Sequence, residues 1–224
     1  TDPIISLGEG AEVIAEEMKI SREEQDVFAL ESHRKAIDAI NSGKFKKEIC
    51  AVPVKQRRGE PKLIDTDEHP RYNKTETGYE LAIDMAGLSK LPAAFKTDGT
   101  VTAGNSSGIN DGAAALLLAN EQVALAHGYK PKLKWIGSAS AGTAPSHFGY
   151  GPVPATQKLL KRFGLSVDDI GLVELNEAFA AQAIGCIRQL GLDPTRTNVN
   201  GGAIALGHPT GCSGARILVS LMHE

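Results

Sequence analysis

Residues 198–216 read NVNGGAIALGHPTGCSGAR, with one histidine among glycines and one cysteine four residues later. An imidazole beside a thiol can take its proton, and the thiolate is the nucleophile, so His208 and Cys212 raise covalent catalysis. Their spacing argues against a direct pair. Residues four apart face one another only on a common helix, and Pro209 with the neighbouring glycines puts His208 in the turn before one. A lone histidine is more often structural than catalytic, but GGAIALGHP offers few side chains to bury His208, which favours exposure to a cleft. Asn176, directly after IGLVEL, reads equally as a helix N-cap and as a catalytic amide. Cys186 lies mid-helix in AAQAIGCIRQL and reads as core packing. Cys50 stands near an edge strand and reads as inert. His33, His69, His127, His147 and His223 read as structural or surface residues.

The sequence holds no metal-ligand cluster, no P-loop and no dinucleotide fingerprint, because GNSSG (104–108) lacks the G-x-G-x-x-G spacing. The basic residues Lys44, Lys46, Lys47, Lys55, Arg57 and Arg58 read as a solvated face, with a nucleotide phosphate as the alternative.

These residues need elements to hold them. From residue 130 the pattern alternates. KLKWIGSASAG, IGLVEL and TNVNGGAIA read as strands. VPATQKLLKRFG, EAFAAQAIGCIRQLG and SGARILVSLMHE read as helices, the first two closed by Gly164 and Gly191. Such alternation implies a mostly parallel sheet with helices packed on it. AAALLLA reads as a strand buried on both faces. Earlier in the chain, Ser21 and Glu24 form a capping box. It opens a helix with an apolar stripe of Val27, Leu30, Ile37 and Ile40 that closes at Gly43. EICAVPVK reads as a short strand that Pro53 demotes to an edge, and residues 55–100 as a long excursion with little regular structure. Sites in open α/β sheets form at the carboxyl ends of strands, which is where Asn176 and His208 fall, each before a helix N-terminus that favours negative charge.

The 224 residues suit one large domain or two small ones. A net charge of −3 gives no reason to expect a polyanion partner, and three cysteines form no disulfide framework, which favours a reducing compartment. No apolar run approaches a membrane span. The chain starts at Thr1 without a Met and stops inside an apolar-periodic run, so it reads as a piece of something longer.

NEAFA (176–180) together with the 198–216 stretch closely resembles the thiolases, acyltransferases that cleave 3-ketoacyl-CoA with coenzyme A or condense two acyl-CoAs. SREEQDVFALESHRKA, DGTVTAGNSSGINDGAAALLLA and GYGPVPA resemble thiolase segments as well. The resemblance implies an α/β, thiolase-like layered fold of helices on mostly parallel or mixed sheets, incomplete in this chain. Residues 1–100 would be most of a loop domain, 101–128 the end of the N-terminal half, and 129–224 a truncated C-terminal half. His208 would activate a nucleophilic cysteine and help hold the thioester oxygen, and Asn176 would fix a water in the same oxyanion hole. Ser107, Phe95 and Phe148 fall where the family contacts the pantetheine arm or acyl group, Ala178 lines the pocket, and Arg71 matches a position that packs on the CoA nucleotide. No cofactor is implied, since coenzyme A is substrate or product. The implied whole protein is a homodimer or homotetramer, cytoplasmic, or mitochondrial or peroxisomal in a eukaryote, with no nucleic acid or membrane partner.

The family's nucleophilic cysteine belongs upstream of this segment and its acid/base cysteine downstream of Glu224, so Cys212 is a bystander and the isolated chain is expected to be inactive. SLGEGAE (6–12) stands where many members have His-Met-Gly. The alternatives are a non-catalytic thiolase-like protein that binds acyl-CoA or lipid, and a ketosynthase-type condensing enzyme. The wording of NEAFA and GHPTGCSGAR favours a thiolase over the latter.

Overall fold

The computed structural model describes residues 4–224. Three helices form its centre: α1 (Leu7–Glu17), α2 (Arg22–Asn41) and α6 (Ala180–Leu190). Between α2 and α6 the chain runs through β1 (Val52–Val54), β2 (Lys62–Ile64), β3 (Tyr72–Lys74), β4 (Tyr79–Leu81), α3 (Met85–Leu88), α4 (Glu121–Ala126) and α5 (Pro152–Phe163). It closes with α7 (Ala203–Leu206) and α8 (Ser213–His223).

A full capping box opens α1: the Glu9 amide donates to Ser6 Oγ, and the Ser6 amide donates to the Glu9 carboxylate. At α2 only half of the expected box forms. The Glu24 amide donates to Ser21 Oγ, but the Glu24 carboxylate pairs with Arg188 of α6. The expected apolar stripe of α2 is also displaced. Ile37 is buried, whereas Val27 is 50% exposed, and the inner face carries Gln25, Asp26, Ala29, Ser32, His33, Ala36 and Ala39. Polar residues can be buried here because each finds a partner. Gln25 Nε2 donates to Thr100 Oγ1, and Asp26 accepts from Asn105 Nδ2 and Arg22 Nε. His33 Nδ1 accepts from the Arg71 amide. The inner face of α6 is small, with Ala180, Ala181, Ala183, Gly185 and Cys186, and Gly185 lets Ile14 and Tyr150 close on its backbone. Gly43, Gly164 and Gly191 all take the left-handed conformation expected of them, with φ of 73°, 64° and 66°.

The strands are where expectation and structure differ most. The regular strands among the described residues form two antiparallel hairpins, β1–β2 and β3–β4. β1 lies in EICAVPVK, where a short edge strand was expected, while β2, β3 and β4 lie inside the excursion expected to be irregular. Asn41, the last residue of α2, holds the second hairpin by bonding both the amide and the carbonyl of Tyr79. Among the described residues parallel pairing is reduced to one rung, Val173 with Thr197, through Val173 N to the Arg196 carbonyl (3.0 Å) and Asn198 N to the Val173 carbonyl (2.9 Å). After that rung the expected strand over 197–205 turns, and Ala203–Leu206 is helical. Neither AAALLLA nor KLKWIGSASAG pairs with any described segment, and Leu117 is 81% and Trp135 57% exposed. Without a neighbour an apolar strand sequence has no ladder to join.

Candidate active site

His208 follows α7 and precedes α8, in a turn that Gly207 permits with a φ of 91°. Its amide donates to the Gly108 carbonyl at 3.1 Å and approaches Asn110 Oδ1 at 3.3 Å, which seats it against the GNSSGIN turn. The ring is held at both nitrogens. Nδ1 lies 2.7 Å from Ser213 Oγ, and Ser213 Oγ donates to the Pro209 carbonyl at 3.1 Å. With its own proton committed there, the hydroxyl accepts from Nδ1–H. This arrangement corresponds to the tautomer in which Nε2 carries no proton. Nε2 faces Asn176 Nδ2 at 3.4 Å. Burial first, and the Arg216 guanidinium second, hold the His208 pKa below the usual histidine range, so the ring is neutral near pH 7.

Asn176 is not the N-cap of the following helix. That position belongs to Phe179, and Asn176 lies three residues before it. Its Oδ1 is buried without a hydrogen-bond partner among the described residues. The amide is therefore free to serve something other than the helix.

Ser107 bonds the other side of the same strip. Its amide and its Oγ both donate to the Ala178 carbonyl, each at 3.0 Å. Ala178 and Phe148 pack on a small apolar cluster of Ala11, Val101 and Phe179. Phe95 meets Phe179 edge to face with centroids 5.8 Å apart. Both outer phenylalanines rest on α1. A Cβ on Gly8 would overlap the Phe95 ring, and one on Gly10 would sit 2.6 Å from the Phe148 ring. Phe95, Phe148 and Ala178 thus meet at the Phe179 cluster, Ser107 bonds Ala178, and Asn176 faces His208. Arg71 stands apart and exposed before β3. It is linked to the site through His69, whose ring crowds Gly108 and lies 3.4 Å from Asn110 Nδ2.

Cys186 packs in the core, as its mid-helix position predicts. It is fully buried, donates to the Gly149 carbonyl at 3.3 Å, and has its pKa pushed up to about 11 by burial. Cys50 is exposed. Cys212 is buried at the N-cap of α8 against Gly112, while the hydroxyl next to it, on Ser213, takes the histidine. Among the described residues no group of acidic, histidine and cysteine side chains could hold a metal ion.

Sequence reasoning missed Ser213, Asn110 and Glu177. Ser213 was detectable as the only hydroxyl in GCSGAR. Glu177 is adjacent to Asn176, points away from the site and is 2% exposed.

Two sequence families match. Residues 4–122 match the thiolase N-terminal domain and residues 129–224 the thiolase C-terminal domain. The chain is 47% identical over 221 residues to a beta-ketoadipyl-CoA thiolase of Acinetobacter baylyi, covering 98% of this chain and 53% of that protein. It is 50% identical over 218 residues to an acetyl-CoA acetyltransferase of Pseudomonas aeruginosa, covering 97% of this chain and 53% of the other. The crystal structure of the Bacillus anthracis acetyl-CoA acetyltransferase superimposes with a TM-score of 0.91 at 45% identity, covering 99% of this chain and 54% of that one. Human mitochondrial 3-ketoacyl-CoA thiolase in complex with CoA superimposes with a TM-score of 0.83 at 42% identity, covering 96% of this chain and 50% of that one. The chain spans about half the length of these relatives. With both domain families matched in order along the chain, and the layered fold shared with solved members, the chain belongs to the thiolase family.

Proposed function

We propose that the whole protein containing this chain is an acyltransferase acting on acyl-CoA thioesters, by thiolysis of 3-ketoacyl-CoA or by Claisen condensation of two acyl-CoAs. The observation that carries this reading is His208 Nε2 facing Asn176 Nδ2 at 3.4 Å, with Nδ1 held by Ser213. A bare imidazole nitrogen can take the proton of a thiol. In condensation the thiolate attacks the thioester carbonyl of one acyl-CoA, and CoA leaves as its thiol with the proton held by the imidazole. In thiolysis it attacks the 3-keto carbonyl, the C2–C3 bond breaks, and C2 of the released acyl-CoA takes a proton from the acid/base cysteine. In both the acyl group rests on the nucleophilic cysteine. Once protonated, Nε2 becomes a donor, and it meets the oxygen on which negative charge develops. Asn176 Oδ1 accepts from a water that donates to the same oxygen. The nucleophilic and acid/base cysteines come from outside these 224 residues. Ser107, Phe95, Phe148 and Ala178 line the pantetheine and acyl path, and Arg71 packs on the CoA nucleotide. Coenzyme A is a substrate or product, and no further cofactor takes part.

No described helix is long and apolar enough to cross a membrane. The whole protein is read as a cytoplasmic homodimer or homotetramer, which light scattering tests. The activity is tested by following acetoacetyl-CoA thiolysis with free CoA in the whole protein and in its His208→Ala variant. Absence of thiolysis and of the reverse condensation in the unaltered protein would overturn the reading.

A further inference from the structure

We propose that Glu177 is a positioning residue for the reaction proposed above, its buried carboxylate clamping the segment that carries Asn176 to the segment that carries His208. Two sets of contacts support this. On one side, Asn198 Nδ2 donates to Glu177 Oε1 at 2.8 Å. The same Asn198 side chain also bonds the amide and carbonyl of Leu175, at 2.7 and 2.8 Å, and so holds the backbone just before Asn176. On the other side, Glu177 Oε2 accepts from Ser32 Oγ at 2.7 Å and from the Ile204 amide at 3.3 Å. Ser32 Oγ in turn accepts from the Gly202 amide at 3.1 Å. Gly202 and Ile204 begin the single turn of α7, which runs through Leu206 and Gly207 directly into His208.

The fit around the carboxylate is close. A Cβ on Gly202 would overlap it, and Gly201, at a φ of 80°, is pressed against the Ser32 carbonyl and Ala36. One side chain therefore ties α2, the Asn198 turn and the start of α7 to the residue beside Asn176. Every partner of the carboxylate is a donor, an arrangement that suits an ionised acid. Burial works against that charge and raises the pKa, while Ser32, Asn198, Ile204 and Lys35 lower it. A buried charge is a poor device for stability alone, since well-packed apolar residues do as well or better. Its value here is geometric. It ties the residue beside Asn176 to the turn that runs into His208, and so sets their separation.

The test uses the whole protein, because the proposal rests on the proposed thiolase reaction. Glu177→Gln replaces an acceptor oxygen with an amide that opposes donors. Ser32→Ala removes one donor and the bridge to Gly202. Glu177→Gln is expected to lower kcat for acetoacetyl-CoA thiolysis roughly tenfold to hundredfold, the scale of a misplacement of about 1 Å, with KM changed by less than about twofold. Ser32→Ala is expected to lose several-fold in kcat with the same split. In crystal structures of the variants the distance from Asn176 Nδ2 to His208 Nε2 should exceed 3.4 Å. A folded variant with unaltered kcat, or a loss confined to KM with the separation unchanged, would overturn the clamp. If Glu177→Gln does not fold, Ser32→Ala is judged by the same measurements. If the unaltered protein has no thiolysis, the reaction reading fails, and the separation in the variant crystal structure alone decides the clamp.

Discussion

His208 Nδ1 and Ser213 Oγ lie 2.7 Å apart, and the serine gives its own proton to the Pro209 carbonyl. A hydroxyl, and not a carboxylate, therefore orients the His208 ring. The ring gains a fixed tautomer without a neighbouring negative charge to raise its pKa.

Ser213→Ala should release that tautomer. The expected loss in kcat is between about tenfold and a hundredfold, less than the roughly 10⁴ that follows when a charged orienting partner is neutralised. KM should be unchanged, and Ser213→Thr, which keeps the hydroxyl, should retain most activity. Full kcat in the alanine variant would show that the bond does not orient the ring.

Three further variants of the whole protein separate the roles around Asn176. His208→Ala removes both a base and an oxygen-stabilising donor, each worth on the order of 10² or more in rate. Asn176→Ala removes only the support of a water and should be clearly milder. Cys212→Ser changes a capping residue with no assigned chemistry and should be close to unaltered. The ranking is read from kcat at saturating acetoacetyl-CoA, and a Cys212→Ser loss equal to that of His208→Ala would refute it.

Two buried groups should pull stability in opposite directions with pH. His33 is buried and its pKa is lowered to about 4, mainly by burial and then by His69 and Arg71. The unfolded chain takes up this proton first, near 6.5, so stability falls as pH drops from there towards 4. The full effect is about 3 kcal/mol at most. Glu174 has its pKa raised to about 7 by burial, against the pull of Arg216. The unfolded chain releases that proton first, near 4.5, so stability falls as pH rises from there towards 7. Urea unfolding across pH 4–7.5 should show His33→Gln flattening the acid limb and Glu174→Gln removing the loss towards neutrality. Unchanged pH profiles in both variants would contradict these assignments.

The 224-residue chain on its own should neither cleave acetoacetyl-CoA nor stay dispersed. Its cysteines are buried in the core, exposed far along the chain, or capping α8. Ile109, Leu117, Leu118, Leu133, Trp135 and Ile136 are each more than half exposed. Apolar surface on this scale binds hydrophobic dyes and drives association. Measurable thiolysis, or a monomer with a reversible two-state melt and no dye binding, would count against this expectation.

Much of the helical framework was legible because its signals are local. Ser21, Gly43, Gly164 and Gly191 mark helix ends through their own backbone chemistry. The site residues were legible through the resemblance and through the bare backbone around His208. Most strands were not, EICAVPVK with β1 being the exception. AAALLLA and KLKWIGSASAG have the right composition, but a strand exists only with a partner, and partners are set by tertiary contacts. The inner face of α2 misled for a related reason. Burial of Gln25, Asp26, Ser32 and His33 depends on Thr100, Asn105, Glu177 and Arg71, from 38 to 145 residues away. Glu177 is an ordinary polar residue in the sequence and acquires meaning only from what it touches, whereas Ser213 carried a sequence signal as the only hydroxyl in GCSGAR.

Gly8 and Gly10 lie under Phe95 and Phe148, on a helix that touches no reacting group. On the proposed reading, in which Phe95 and Phe148 line the acyl path, its depth is set by residues remote from the chemistry. A methyl group at either position would have to displace one aromatic ring. Chain-length preference would then be adjustable through α1, a route separate from His208 and Asn176.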